Sequence, residues 1–424
     1  MGTSQSPPRT STIGKHSVPQ ACHRVLIVGG GPVGLATALT LATAGVPVVV
    51  VEKGTWPQDK VCGEGVMPTG VDFLQRFGVL AHLPADQSWS FRGIRYREPN
   101  GVIAEADFAS GPGLGIRRLA LSHALAATLS HHPLVDLRPH TRLMALQQDA
   151  TAVHVTLTGN GSSTHVSRET FGFLIGADGR RSTVRRLAGL EAPAPGRQKR
   201  LGVRQHVALS PWSAYVEVWW QRGIEAYITP SGSQQVEVAF LWDQAQFRPR
   251  ARQGLDGFAA VFPDLASRIQ HAATRSTLRG LGPLAVAARC PVAGRIMLLG
   301  DALVYLDGLT GEGLSLGFAQ AELVAQHLAP LCAVTHCHVE PLYALARALR
   351  HRVASHLTMT RLALALTRHP WLRTWSMRAL SRSPRMLQHC LEANMGTCRP
   401  WQIPLQALLP SAWGLVAPRR VGRG

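Results

Sequence analysis

Residues 25–51 read VLIVGGGPVGLATALTLATAGVPVVVV. These 27 residues carry no charge, and by hydropathy alone the run is long enough to cross a bilayer. Its internal order argues otherwise. Five glycines and two prolines interrupt it, and it splits into VLIV, a small-residue stretch and VVVV. Gly29, Gly31 and Gly34 carry the spacing G-x-G-x-x-G. At such a turn the first glycine permits the sharp change of direction. The second lets the backbone approach a pyrophosphate, and the third lets the helix pack closely on the sheet. Free N–H groups and the dipole of the following helix then favour an anion. The pattern predicts a strand over 25–28, a helix over 33–44 and a second strand ending at Glu52, 18 residues after Gly34. A carboxylate there suits the hydroxyls of an adenosine ribose, and Glu in place of Arg disfavours a 2′-phosphate.

The rest of the chain must accommodate this unit. It has 424 residues, 46% of them hydrophobic and only 16% charged, which excludes a disordered polyelectrolyte. Its 41 glycines show no collagen period. Lys+Arg number 44 against 25 Asp+Glu, a net charge of +19. Seven scattered cysteines suit a reducing cytosol better than a disulfide framework. Residues 1–20 are polar, rich in Pro, Ser and Thr and without an apolar core, so they read as a flexible leader. Cys332, His336, Cys337 and His338 lack a second ligand pair at standard spacing, and no metal is expected.

Four further segments carry chemistry. KVCGEGVMPTG (60–70) brackets Glu64 with glycines, bending the backbone close to something flat or charged. In GLGIRRLALSHALAATL (113–129), Leu121, Leu125 and Leu129 mark an amphipathic helix entered through Arg117 and Arg118. Arginine at a helix start opposes the dipole, which makes sense beside an anion. FLIGADGRRSTVRRLAGL (173–190) runs a strand into Asp178-Gly179, with Ser182 as N-cap of a short helix. Its four arginines imply an anionic partner, a flavin pyrophosphate or nicotinamide-cofactor phosphates. In RIMLLGDALVYLDGLTGEGLSLGFAQAELVAQHL (295–328), a strand delivers Asp301 at its C-terminal end, where ligands bind open α/β sheets. Gly311-Glu312-Gly313 then opens a helix aimed at the ligand.

Together, GGGPVG, GADGRRSTVRR and LLGDALVYLDGLTGEG resemble the FAD-dependent aromatic-hydroxylase superfamily, which includes geranylgeranyl reductases and flavin-dependent halogenases. The resemblance covers roughly residues 22–335. It implies an α/β fold in which a Rossmann-like FAD-binding domain of the GR2 type (21–190 and 275–335) is interleaved with a β-sheet substrate domain (191–274). A basic helical C-terminal region (336–424) follows. It also implies that Gly29, Gly31, Gly34 and Glu52 hold the ADP half of FAD and that Arg118 contacts the cofactor. Asp178 and Gly179 fit a motif serving FAD and, in hydroxylases, NAD(P)H. Gly300 and Asp301 fit the ribitol site, and Gly311 and Gly313 the loop beside the isoalloxazine. AYVEVWW, EAYITPSG and QQVEVAFLW (214–242) are expected to alternate as strands roofing the flavin. Cys62, Glu64, Trp219, Tyr227 and Pro230 are the candidate substrate-pocket residues.

Three flavin reactions stay open: NAD(P)H-dependent monooxygenation of a hydrophobic or aromatic molecule, reduction of isoprenoid double bonds, and halogenation. Halogenation is disfavoured because W-x-W-x-I-P is absent and lysines are scarce: Lys15, Lys53, Lys60 and Lys199. A non-catalytic basic protein retaining a flavin fold is a fourth expectation. Nucleic-acid binding is not expected, because no basic stripe is interleaved with aromatics. The charge instead gathers at the end of the chain: residues 345–424 contain thirteen Arg and a single acid, Glu392. Leu345, Leu349, Val353 and Leu357 recur there at four-residue spacing, followed by Trp371, Trp375, Trp401 and Trp413. That pattern fits a helical cap over the substrate domain, or basic helices docked on an anionic membrane surface. A cytoplasmic protein, peripheral at the membrane in the second case, is expected.

Overall fold

The two valine-rich runs lie side by side. Val25–Val28 pairs in parallel with Val48–Val51 on one side and with Phe173–Gly176 on the other. Ile296–Leu298 and Val135–Arg138 extend the sheet in parallel at either flank, and Val292–Ala293 closes it antiparallel. Alternate side chains of the central strands enter different layers. Val25, Ile27, Val48 and Val50 pack under helices Pro32–Thr43, Arg118–Leu129 and Gly313–Cys332. Leu26, Val28, Val49 and Val51 pack against a three-stranded antiparallel sheet, through Leu143, Val153, Val155 and Phe171. A strand buried on both faces has no polar alternation to show, which is why the stretch imitates a membrane span. No helix among the described residues is long and apolar enough to cross a membrane.

This computed structural model describes residues 24–160, 164–193, 199–249, 253–334, 340–399 and 402. The expected leader, Cys22, His336, Cys337, His338, Trp401 and Trp413 lie outside the described residues.

The expected strands of the second sheet form as Tyr215–Gln221, Ile224–Gly232 and Gln235–Asp243, with Arg200–Val207 beside them. The sheet has seven strands, three more than the four that 191–274 supplies: Gly93–Arg97 pairs parallel to Tyr215–Gln221, and Ile103–Asp107 pairs with Gly93–Arg97. Those residues fall inside the expected span 21–190, so the chain crosses into the second sheet early. Arg279–Leu281 adds the opposite edge. One face of this sheet is covered by Asp256–Ala259 and Pro263–Ile269, through Phe258, Phe262 and Leu265. The other meets the C-terminal helices Pro370–Arg382 and Pro384–Met395, through Met377, Leu387 and Leu391. Helix Pro341–Arg368 leads into them and buries Leu345, Leu349 and Val353 against the first domain. The described part of the basic tail, residues 340–399, packs as helices over the second sheet and the first domain.

Candidate active site

The glycine turn is as tight as its spacing requires. Gly29 has φ +108°, and a Cβ there would lie 2.5 Å from the Ala177 carbonyl oxygen. A Cβ on Gly34 would collide with the Gly29 carbonyl oxygen. Gly31 differs: a Cβ there would meet only the ends of Lys60 Nζ and Arg118 Nη2, at 3.7 and 3.8 Å. The backbone thus approaches an open space edged by two cations. Helix Pro32–Thr43 starts there with no side-chain cap and no acid in its first turn, so its first N–H groups await an acceptor. Arg118 Nε is buried without a hydrogen-bond partner. Lys60 is reached by solvent yet hemmed in by protein, and desolvation, reinforced by Arg118 and Lys53 against the pull of Glu52, lowers its ammonium pKa. Two such cations beside an uncapped helix fit a pyrophosphate.

Glu52 closes the other end. Its carboxylate accepts from Gly30 N (2.8 Å) and Gly54 N (3.1 Å). Burial pushes its pKa up, but nearby donors, including those two N–H groups, and the Lys60 charge outweigh burial and hold it low. A carboxylate offers about four lone-pair sites, so acceptors remain for ribose hydroxyls. Trp56 donates from Nε1 to the Gly30 carbonyl at 2.7 Å, and its ring occupies the place a Gly30 side chain would need.

Asp301 follows the strand Ile296–Leu298 in a 3₁₀ turn, where Gly300 adopts φ +54° and donates its N–H to Gln320 Oε1 at 2.7 Å. Burial raises the Asp301 pKa against the pull of Arg118, Arg180 and Lys60. Asp178 has a local role: its Oδ2 accepts from Thr183 N (2.6 Å) and Val184 N (3.2 Å), while Oδ1 is buried without a partner. Ser182 caps the same helix, accepting from Arg185 N at 2.9 Å. Gly179 has φ +79° with nothing near its missing side chain. Arg185 does not face an anion, because it is buried and donates to the Ala302 and Arg180 carbonyls.

A cavity of about 480 Å³ lies between the second sheet and the C-terminal helices, within the range of small-molecule sites. Val216, Val218, Trp220 and Tyr227 line it from the sheet, and Leu309–Glu312 from the loop before helix Gly313–Cys332. Leu366, Met377, Leu380 and Leu391 are among the residues that close it from the cap. Glu312 is the one acid among the described residues of this apolar wall. Its Oε1 accepts from Asn394 Nδ2 at 3.2 Å, and burial, helped by the Glu392 charge, pushes its pKa up to about 8. Trp220 Nε1 is buried without a partner, and the Tyr227 hydroxyl donates to the Leu309 carbonyl at 3.3 Å.

Residues 23–359 match the FAD binding domain family. The chain belongs to that family. This flavoprotein is 29% identical over 324 residues to a menaquinone reductase of Mycolicibacterium smegmatis, covering 71% of this chain and 75% of the relative. It is also 29% identical to a para-nitrophenol 4-monooxygenase of Pseudomonas sp. strain WBC-3, over 72% of this chain and 77% of that one. A solved flavoprotein/dehydrogenase from Cytophaga hutchinsonii shares the fold at TM-score 0.78 and 16% identity, covering 93% and 98% of the two chains. Such relatives, with the family match, make the protein an FAD-dependent oxidoreductase.

The expected residues of this flavoprotein divide accordingly. Gly29 and Gly34 shape the turn, Gly31 and Arg118 edge the cleft, Glu52 binds the turn at Gly30, and Asp301 lies within the electrostatic reach of Arg118 and Lys60. Gly311 (φ +67°) and Gly313 flank Glu312 at the cavity. Of the pocket candidates, Tyr227 lines the cavity. Trp219 does not: it is packed on the opposite face of the sheet, donating to Glu217 Oε2 at 2.8 Å, and its neighbour Trp220 takes the place expected for it. Pro230 also lies elsewhere, its carbonyl oxygen against Gly115. Cys62 is half-buried beside Glu64, whose N–H approaches its Sγ at 3.4 Å, and burial raises its thiol pKa.

Glu64 is buried away from the cavity at φ +51°. It accepts from Arg118 N at 2.8 Å and meets His206 Nε2 at 2.8 Å. Glu237 joins them, its pKa pushed well up by burial and by Glu64. Arg204 lies 3.1 Å from His206 Nδ1 and 3.8 Å from Glu237, placing a positive charge beside this cluster. The sequence did not single out Lys60, Trp56, His206, Glu237 or Trp220. Lys60 had a signal, as one of four lysines in the chain. His206 and Glu237 had none, because only strand pairing brings them to Glu64.

Proposed function

We propose that the protein is a monooxygenase that hydroxylates a hydrophobic, aromatic small molecule in the cavity, with NADH or NADPH as reductant. The observation that carries the reading is Glu312, the single acid in an apolar cavity and the residue between Gly311 and Gly313, the loop taken to lie beside the flavin. FAD, when bound, supplies the redox chemistry and the activation of oxygen. Gly31, Lys60 and Arg118 hold its pyrophosphate, Glu52 its ribose and Asp301 its ribitol. The apolar walls exclude water from the reacting centre. A carboxyl with a pKa of about 8 is mostly protonated at neutral pH. It donates to a substrate oxygen and exchanges a proton with it near the working pH, as a general acid–base group does. Trp220 Nε1 offers a second donor at the same wall.

A second reading, double-bond reduction on an isoprenoid of the geranylgeranyl-reductase kind, is favoured by the apolar cavity and by the reductase among the relatives. Halogenation ranks below both, because no lysine lines the cavity. The deciding experiment supplies FAD-loaded protein with NADH or NADPH and a panel of phenols and quinones bearing isoprenoid tails. Substrate-stimulated oxygen uptake, with labelled oxygen from O₂ in the product, is the expected result. Turnover under nitrogen that yields a saturated bond would replace monooxygenation with reduction. Glu312→Gln should lower turnover on the order of a hundredfold while FAD stays bound.

A further inference from the structure

The cap helices expose an apolar face at the edge of the cavity. On helix Pro370–Arg382, Trp371, Trp375 and Arg378 stand at i, i+4 and i+7 and share one side. Trp371 is 73% exposed and Trp375 50% exposed. On the preceding helix, Leu362 is 54% exposed, with Arg361 beside it and Arg368 closing the helix, both in solvent. Leu362 and Trp375 also line the cavity, so the exposed apolar patch continues into the cavity wall. Along the cap helices themselves the charge has one sign. No Asp or Glu occurs between Glu340 and Glu392, whereas Arg347, Arg350, Arg361, Arg368, Arg378 and Arg385 are exposed.

We propose that this face, Leu362, Trp371 and Trp375 ringed by Arg361, Arg368 and Arg378, seats on the surface of an anionic bilayer and admits a lipid-dissolved substrate to the cavity. Three properties select a bilayer over a protein partner. Tryptophan favours the headgroup level, where one end of the ring is wet and the other apolar. Arginines without intervening acids are drawn to anionic lipid near the surface. Basic helices carrying Trp and Leu lie in the interface plane without crossing it, in keeping with the absence of a spanning helix among the described residues. The docking stands on the cap alone. The admission of substrate rests on the proposed function.

The test floats full-length, FAD-loaded protein with vesicles of equimolar phosphatidylcholine and phosphatidylglycerol, and separately with phosphatidylcholine alone. Expected is binding to the anionic vesicles only, weakened by added salt. Binding should fall on the order of tenfold for Trp371→Ala and a hundredfold for the double variant Arg361→Glu/Arg378→Glu. None of these three residues lines the cavity, so FAD retention, melting temperature and turnover of a water-soluble substrate should match the wild type. Absent binding, equal binding to uncharged vesicles, or a double variant that binds like the wild type would overturn the proposal. Self-association in solution without vesicle binding would assign the face to a second copy and overturn it too. Since flotation needs no turnover, protein that hydroxylates its substrate but ignores vesicles loses the docking and keeps the proposed function.

Discussion

Glycine 31 shows how one residue sets a site. Gly29 and Gly34 are glycine because the backbone leaves no room, but Gly31 faces open space whose nearest atoms are Lys60 Nζ and Arg118 Nη2. Hydrogen bonds to charged groups contribute about 1.5–3 kcal/mol. Lys60→Ala and Arg118→Ala should therefore each weaken FAD affinity roughly ten- to a hundredfold, read by flavin fluorescence titration. Unchanged affinity in both variants would remove the cation pair from the pyrophosphate site. Glu312 gives a pH signature of its own. Its carboxyl rises from an ordinary 4.5 to about 8 in the fold because of burial, so the folded state holds the proton more tightly than the unfolded chain. Its stabilising share is present below 4.5 and is lost as pH rises toward and through about 8. In melts across that window, Glu312→Gln should gain stability relative to the wild type as pH increases. A constant difference would mean that Glu312 titrates normally.

At the scale of elements, the strand Tyr215–Gln221 decides which tryptophan serves the cavity. Its period of two sends Trp219 and Trp220 to opposite faces, and both faces are covered, one by short helices and one by the cap. The sequence shows that the pair must split but not which side the cavity lies on, since that depends on where the C-terminal helices pack. A buried ion pair helps to anchor them there, beside the bonds from Thr374 to Glu98 and from Gln388 to the Asp107 carbonyl. Arg373 and Glu98 form an ion pair at 2.6 Å, 5% and 2% exposed, and the Arg373 guanidinium lies 5.1 Å from the Trp220 ring centroid. This arginine of the basic tail is therefore buried. Removing one partner of a buried pair costs about 3–5 kcal/mol. Arg373→Ala should lower the melting temperature by several degrees, and the double variant Arg373→Met/Glu98→Leu should recover much of the loss. If Arg373→Ala melts like the wild type, the ion pair does not anchor the cap.

The whole molecule joins two sheets around a cofactor cleft, and ligand binding should report that coupling. A ligand that binds only the folded state at a hundredfold excess over its Kd adds about 2.7 kcal/mol. Added FAD should raise the melting temperature of stripped protein by several degrees, and an unchanged transition would count against a shared cofactor site. Much of this architecture was legible before any coordinates. The glycine spacing, the two valine runs and Glu52 determined the strand–turn–helix–strand unit, because Gly29 and Gly34 sit against carbonyl oxygens that leave no room for a side chain. Ser182 as a cap and Leu121, Leu125 and Leu129 as a buried stripe were equally readable, since both follow from local periodicity. The tertiary structure decided what depends on residues far apart in the chain. It brought residues 93–107 into the second sheet, joined Glu64 to His206 and Glu237, and laid the arginine-rich tail over the cavity with Glu312 in its wall. A short-range pattern fixes which face of a strand or helix is apolar, but only packing fixes what that face meets.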